Sequence, residues 1–113
     1  MITSWGRHLR AYPASEWQTT EDKLLTNGRE EPNLAGFIRY VVSGITECSL
    51  DRQGRLLIPA SLRTEVGISE KVVLNGMLEF VEIWDESTWA EEFRRTRENL
   101  DQYSGSLAKL GIY

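Results

Sequence analysis

Hydrophobic positions along this chain change period from one segment to the next, and each change marks an element. Residues 2–12 read as a strand pair, or one bent strand, interrupted at Gly6. Pro13 and Ser15 offer a helix start. Trp17, Glu21, Leu24 and Leu25 then fall at i, i+4, i+7 and i+8, one face of an amphipathic helix that Asn27 and Gly28 stop. Residues 29–33 form a charged, proline-containing loop. Beyond it Phe37, Ile38, Val41, Val42 and Ile45 make an apolar stripe of helical period, expected on the core.

Residues 47–60 carry the densest local signal. Leu50, Leu56 and Ile58 are strand-forming residues on either side of Asp51, Arg52, Gln53 and Gly54, a set with turn chemistry in which Gly54 can take the positive φ that closes a hairpin. Pro59 ends the second strand and suits the first turn of a helix. That helix is predicted over residues 60–68, with Leu62 and Val66 inward and Gly67 as its stop. Residues 71–84 read as strand, turn, strand, the turn signal being Asn75-Gly76. Asp85 or Ser87 then caps a helix in which Thr88 and Glu91 have capping-box spacing and Trp89, Phe93 and Leu100 supply the buried side. The tail from 103 to 113 is expected to be only partly ordered. Laid side by side, residues 2–17 and 72–89 echo one another: a glycine, then an aromatic (Tyr12, Trp84), a helix start and a tryptophan (Trp17, Trp89). Nothing at the front of the first copy answers the hairpin and short helix of residues 51–63.

Composition narrows the classes. At 113 residues the chain suits one domain with a real core, and 41% hydrophobic with 27% charged residues argues against global disorder. One cysteine, Cys48, rules out an internal disulfide and reads as a small buried hydrophobe. The chain reads as reduced and cytoplasmic, with no membrane-spanning run and no recognisable leader. A net charge of −4 argues against a globally basic nucleic-acid binder, but charge is unevenly spread. Residues 51–63 hold three arginines against one aspartate, a net of +2, whereas residues 85–101 hold six acids against three arginines, a net of −3.

The hairpin tip is the candidate chemistry. Arg52 and Arg55 stand beside Asp51, and an arginine fork there can bridge phosphates or take a guanine edge bidentately, with Asp51 holding Arg55 in pose. On charge alone the two arginines read equally as solvated turn residues, and Asp51 as a residue that bonds its own backbone. Arg63 reads more simply as a partner of Glu65 or a solvated helix residue. The aromatic residues recur at core-facing periods and fit packing better than base stacking. His8 stands alone without a nucleophile or metal-ligand partner. No catalytic constellation, glycine-rich phosphate loop, cofactor motif or metal-ligand cluster stands out, so an enzyme is not expected. Two other readings stay open: a DNA-binding regulator, and an assembly module that no longer binds DNA by itself.

Residues 50–59, then Leu62-Arg63, residues 72–76 and the run from Phe80 through Ile83, Trp84 and Asp85 to Trp89 closely resemble the second half of the MraZ family. These are bacterial transcriptional regulators with the AbrB-like swapped-hairpin fold. Tyr12-Pro13, Glu16-Trp17, Lys23-Leu24 and residues 39–48 look like the end of that family's first half and its linking helices. The resemblance implies an α+β fold, a small swapped-hairpin β-barrel decorated with helices. It would comprise an incomplete first repeat with linking helices over 1–46 and a complete second repeat with a C-terminal helix over 47–113. It implies a repressor at the promoter of the cell-division and cell-wall gene cluster, cytoplasmic and nucleoid-associated. Its partners would be double-stranded promoter DNA with repeated elements and further copies of itself in a ring-like homo-oligomer, with no small-molecule substrate and no membrane. Asp51, Arg52, Gln53, Arg55 and Arg63 are the implied DNA-binding residues. Family members begin with another Asp-x-x-x-Arg hairpin that this sequence lacks. The expectation is either association through the resulting unpaired edge or a shortened form of a longer product.

Overall fold

Two β-hairpins, each followed by a helix, frame the chain, which a computed structural model describes over residues 1–113. β1 (Ile2–Ser4) and β2 (Leu9–Ala11) form the first hairpin, and β3 (Val72–Gly76) and β4 (Val81–Asp85) the second. All four strands lie in one antiparallel sheet of order β1-β2-β4-β3. β2 and β4 meet at its centre, with Leu9 opposite Ile83, Arg10 opposite Glu82 and Ala11 opposite Val81. The two hairpins, from opposite ends of the sequence, thus lie side by side in one sheet. A further bridge ties Ile2 to Thr46. With the helices this is the expected α+β class.

The sequence echo has a structural counterpart. α1 (Ala14–Asn27) follows β2 and α4 (Glu86–Glu98) follows β4. In each unit the aromatic at the strand end packs on a tryptophan in the helix's first turns: Tyr12 on Trp17 at 5.3 Å and Trp84 on Trp89 at 5.6 Å between ring centroids. Trp17 is buried, and its indole N–H donates to Glu21 at 2.8 Å, which explains an acid on the apolar face of α1. Leu25, expected on that face, is exposed instead.

Two short 3-10 turns, Gly28–Glu30 and Pro32–Leu34, replace the expected loop and lead into α2 (Ala35–Ser43). At this corner Gly28 lies against the tip of Ile38, which a Cβ there would push aside. Val41 is the fully buried residue of α2, and its carbonyl accepts from Thr3 Oγ at 2.7 Å. The Tyr40 hydroxyl lies 2.7 Å from Ser4 Oγ and donates to Glu65 at 2.7 Å, tying β1 and α2 to α3 (Ala60–Glu65).

One core cluster packs Ile2, Leu9 and Ile83 of the sheet against Leu62 and Val66 at α3, so these two residues point inward as expected. Gly67, with φ of +70°, ends that helix. A second cluster joins Tyr12, Trp17 and Val41. His8 is buried, stacked on Trp84 at 4.6 Å with Nε2 3.2 Å from Glu82. Burial pushes its pKa down, opposed by the Glu82 carboxylate.

Three further expectations need correction. Asn75-Gly76 is not a turn: Asn75 pairs with Glu82 and Gly76 with Val81, and the chain reverses at Met77 to Phe80. A two-residue turn would have set Leu74 opposite Met77, whereas the observed register sets Leu74 opposite Ile83 and Val73 opposite Trp84. Ladder length and packing outweigh the local turn signal. The consequence falls on Leu78, fully exposed with φ of +67°. Leu78→Gly is therefore expected to raise stability by about 0.5–1 kcal/mol. Relief of about 1–2 kcal/mol of left-handed strain exceeds the entropy that glycine adds to the unfolded chain. A thermal melt checks this, and an unchanged or lower midpoint counts against it.

The second correction concerns α4. Asp85 is its cap, accepting from the Ser87 N–H at 3.2 Å and hydroxyl at 2.6 Å, with Ser69 alongside. These bonds hold the Asp85 carboxyl below the ordinary range, the Ser87 hydroxyl contributing most. However, α4 has no buried residue: Trp89 is half-buried, and Phe93 and Leu100 are exposed. Only the helix's first turns lie over the sheet. Third, the tail is helical, a 3-10 turn at Leu100–Tyr103 leading into α5 (Ser104–Lys109).

Candidate nucleic-acid interface

The hairpin of residues 50–58 is shaped by its turn more than by its strands. A single bridge, Leu50 to Leu56, stands where two short strands were expected, because no neighbouring strand extends the ladder. The turn compensates with a dense set of bonds. The Asp51 N–H donates to the Arg55 carbonyl at 2.8 Å and the Gly54 N–H to the Asp51 carbonyl at 3.0 Å. Gly54 has φ of +76° and open space where a Cβ would sit, so its requirement is conformational.

The Asp51 side chain completes the device. Oδ1 accepts from the N–H groups of Gln53 at 2.9 Å and Arg55 at 2.8 Å, and Oδ2 accepts from Arg55 Nε at 2.8 Å. The Arg55 N–H, then its guanidinium, hold the Asp51 carboxyl below the ordinary carboxylate range. The two sequence readings of Asp51, turn former and partner of Arg55, are therefore both realised by different oxygens. Only Nε of Arg55 is engaged. No hydrogen bond within the chain engages its two terminal nitrogens, on a side chain 75% exposed.

Arg52 and Gln53 share this tip and are exposed, Arg52 without an ion pair. Arg63 stands apart on the exposed side of α3 and makes no bond to the tip. Its simplest expected partner is not used, since Glu65 accepts from Tyr40. The structure thus gathers Asp51, Arg52, Gln53 and Arg55 on one turn and leaves Arg63 on the next element. Beneath the tip, Leu50, Leu56 and Ile58 line an apolar trough of about 540 Å³ with Val72, Leu74 and Ile83.

Arg10 went unnoticed in the sequence. Its guanidinium lies 3.9 Å from the ring centre of Trp5 and 4.2 Å from that of Phe80, clamping the two hairpin units together. Trp5 and Phe80 are 75 positions apart in the chain, so no local pattern announces the clamp. No group of three His, Cys, Asp or Glu side chains is placed to hold a metal ion. No helix is long and apolar enough to cross a membrane.

Fold and tip together define a class: small α+β proteins with two hairpin-helix units side by side in one sheet and an exposed charged turn. Known proteins make the class specific. A family model described as "MraZ protein, putative antitoxin-like" matches residues 41–108. The transcriptional regulator MraZ of Desulfitobacterium hafniense (strain Y51) is 39% identical over 104 residues, covering 92% of this chain and 73% of that protein. The one from Syntrophobacter fumaroxidans is 36% identical over 112 residues, covering 99% of this chain and 75% of its own. That of Moorella thermoacetica is 39% identical over 102 residues, covering 90% and 69%. The chain belongs to the MraZ family.

Proposed function

We propose that this protein is a sequence-specific DNA-binding transcriptional repressor, acting on the promoter of the cell-division and cell-wall gene cluster. Its partners are double-stranded promoter DNA with repeated elements and other copies of itself, and its place is the cytoplasm, at the nucleoid. It performs no catalysis and requires no cofactor. The observation that carries the reading is the Asp51–Arg55 pair: an arginine bonded through Nε on an exposed turn, its terminal nitrogens without a partner in the chain. Such a fork matches the O6 and N7 acceptors of guanine or two phosphate oxygens. Arg52 and Gln53 add a phosphate contact and an adaptable amide at the same tip, and Arg63 a flanking phosphate contact. The chain acts as two hairpin-helix units, 1–46 and 47–113, the second bearing this tip.

A tip with a net charge of +2 over residues 51–63 neutralises few phosphates, and the chain's net charge is −4. Useful affinity then comes from several tips on repeated elements, where each bound tip raises the effective concentration of the next. Fluorescence anisotropy with labelled promoter duplex tests this. Binding should weaken steeply with added salt, with a log–log slope of about −0.9 per phosphate contact. A duplex with repeated elements should bind far more tightly than one with a single element. An oligomer that retains no duplex at low salt would instead mark an assembly module.

A further inference from the structure

The single histidine of the chain is lodged between two charged groups that compete for one of its nitrogens. His8 lies just before β2, buried and stacked on Trp84 of β4 with the ring planes 17° apart. Its Nε2 is 3.2 Å from Glu82 Oε2 and 3.4 Å from Arg10 Nε. Nδ1 bonds to no group of the chain and is not sealed from solvent. The Glu82 carboxylate is itself placed by the Trp84 indole, whose N–H donates to Oε1 at 3.1 Å.

An ionised carboxylate only accepts hydrogen bonds and an arginine Nε–H only donates them. Nε2 therefore serves Glu82 when it carries a proton and Arg10 when it presents a lone pair, and it cannot serve both. The same Arg10 guanidinium lies against Trp5 of the first hairpin unit and Phe80 of the second. Its other hydrogen bond, to the Tyr12 hydroxyl, is long at 3.4 Å, and it forms no ion pair. The hold of Arg10 on the two rings thus depends on which state Nε2 is in.

We propose that His8 is a proton-operated latch between the two hairpin units. With its proton on Nδ1 alone, Nε2 accepts from Arg10 Nε and steadies the guanidinium between Trp5 and Phe80. A second proton, taken from solvent onto Nε2 as pH falls, turns that nitrogen into a donor to Glu82. Arg10 then loses its acceptor, gains a like charge beside it and loosens its hold on the rings. The other charged group facing His8 is Glu92 of α4, whose carboxylate is held by Arg7 at 2.8 Å and Arg95 at 3.5 Å. Burial, the largest influence, pushes the His8 pKa below 6.5; Glu82 opposes it, Arg10 adds to it and Glu92 opposes it. The unfolded chain therefore takes up this proton first. The stability contributed by neutral His8 is complete above pH 6.5 and is lost as pH falls through the folded-state value.

Nitrogen NMR on the full chain tests the latch, because one histidine gives one set of ring signals. At about pH 8 the spectrum should show the proton on Nδ1, with the Arg10 Nε–H exchanging slowly with water. On titration to about pH 5 both ring nitrogens should become protonated with a midpoint below 6.5, and the Arg10 Nε–H should exchange fast over the same range. Arg10→Gln should raise the proton affinity of His8 several-fold, and Glu82→Gln should lower it several-fold. Both are read on the folded protein, so a modest loss of stability in either variant does not obscure the result. In thermal melts over the same pH range the wild type should lose melting temperature, and His8→Gln should lose less. A proton on Nε2 at the alkaline end, or an Arg10 Nε–H indifferent to the titration, would overturn the latch. So would a proton affinity that neither substitution moves, or equal losses of melting temperature in the wild type and His8→Gln.

Discussion

Truncating Arg55 to alanine is expected to weaken binding to the promoter duplex by at least about tenfold, with the melting temperature unchanged. A bidentate arginine contact to guanine discriminates by about 1–3 kcal/mol, which corresponds to roughly 5- to 150-fold for each engaged tip. In an assembly that uses several tips the losses multiply. The fold should not notice, because the side chain is exposed and the turn keeps its Asp51 bonds to the Gln53 and Arg55 N–H groups. Arg55→Lys should fall between wild type and alanine, since an ammonium supplies the charge without the Nε–H that meets Asp51 or the planar fork. Arg52→Ala should cost less, because nothing holds that side chain in one pose. Anisotropy titrations at one fixed salt concentration measure all three. Wild-type affinity in Arg55→Ala would contradict the assignment.

Leu9→Ala is expected to produce the largest loss of stability, about 2–5 kcal/mol. Leu9 has no exposed surface and lies on β2 at the centre of the sheet, opposite Ile83 and among Ile2, Leu62 and Val66. The cavity would open where the two hairpin units and α3 meet, a junction with little freedom to collapse. For a domain of this size the loss lowers the melting temperature by on the order of 10 °C or more. Leu57→Ala is the control, because Leu57 is 82% exposed and its truncation should be nearly silent. Calorimetry on the two variants decides the matter. Equal shifts would mean that the two hairpin units do not depend on a shared core.

Much of this architecture was legible because its signals are local. The strand pair at residues 2–12, the helix from Pro13 to Gly28, the short helix with Leu62 and Val66 inward, and the Asp85 cap are all set by neighbouring residues. The Asp51 to Arg55 turn was legible for the same reason, every partner lying within four positions. The failures share the opposite cause. Asn75-Gly76 carries a strong turn signal, but register with Ile83 and Trp84 decided the strand, and no local pattern states that register. Phe93 and Leu100 have core-facing spacing, yet a periodic stripe does not specify whether its partner belongs to the same chain. Arg10 between Trp5 and Phe80 needed the assembled sheet to be seen.

Asp51 poses Arg55 for DNA in the proposed function, and Asp51→Ala is the sharpest test of this because posing and simple charge attraction predict opposite signs. Removing a carboxylate raises the net charge of residues 51–63 from +2 to +3, so simple attraction to phosphates would tighten binding. If Asp51 orients the fork, its loss frees Arg55 and loosens the turn, and binding to the promoter duplex must weaken despite the added positive charge. Anisotropy titration of Asp51→Ala beside the wild type, at the same salt, should show the weaker binding. Binding equal to or tighter than wild type would contradict the account.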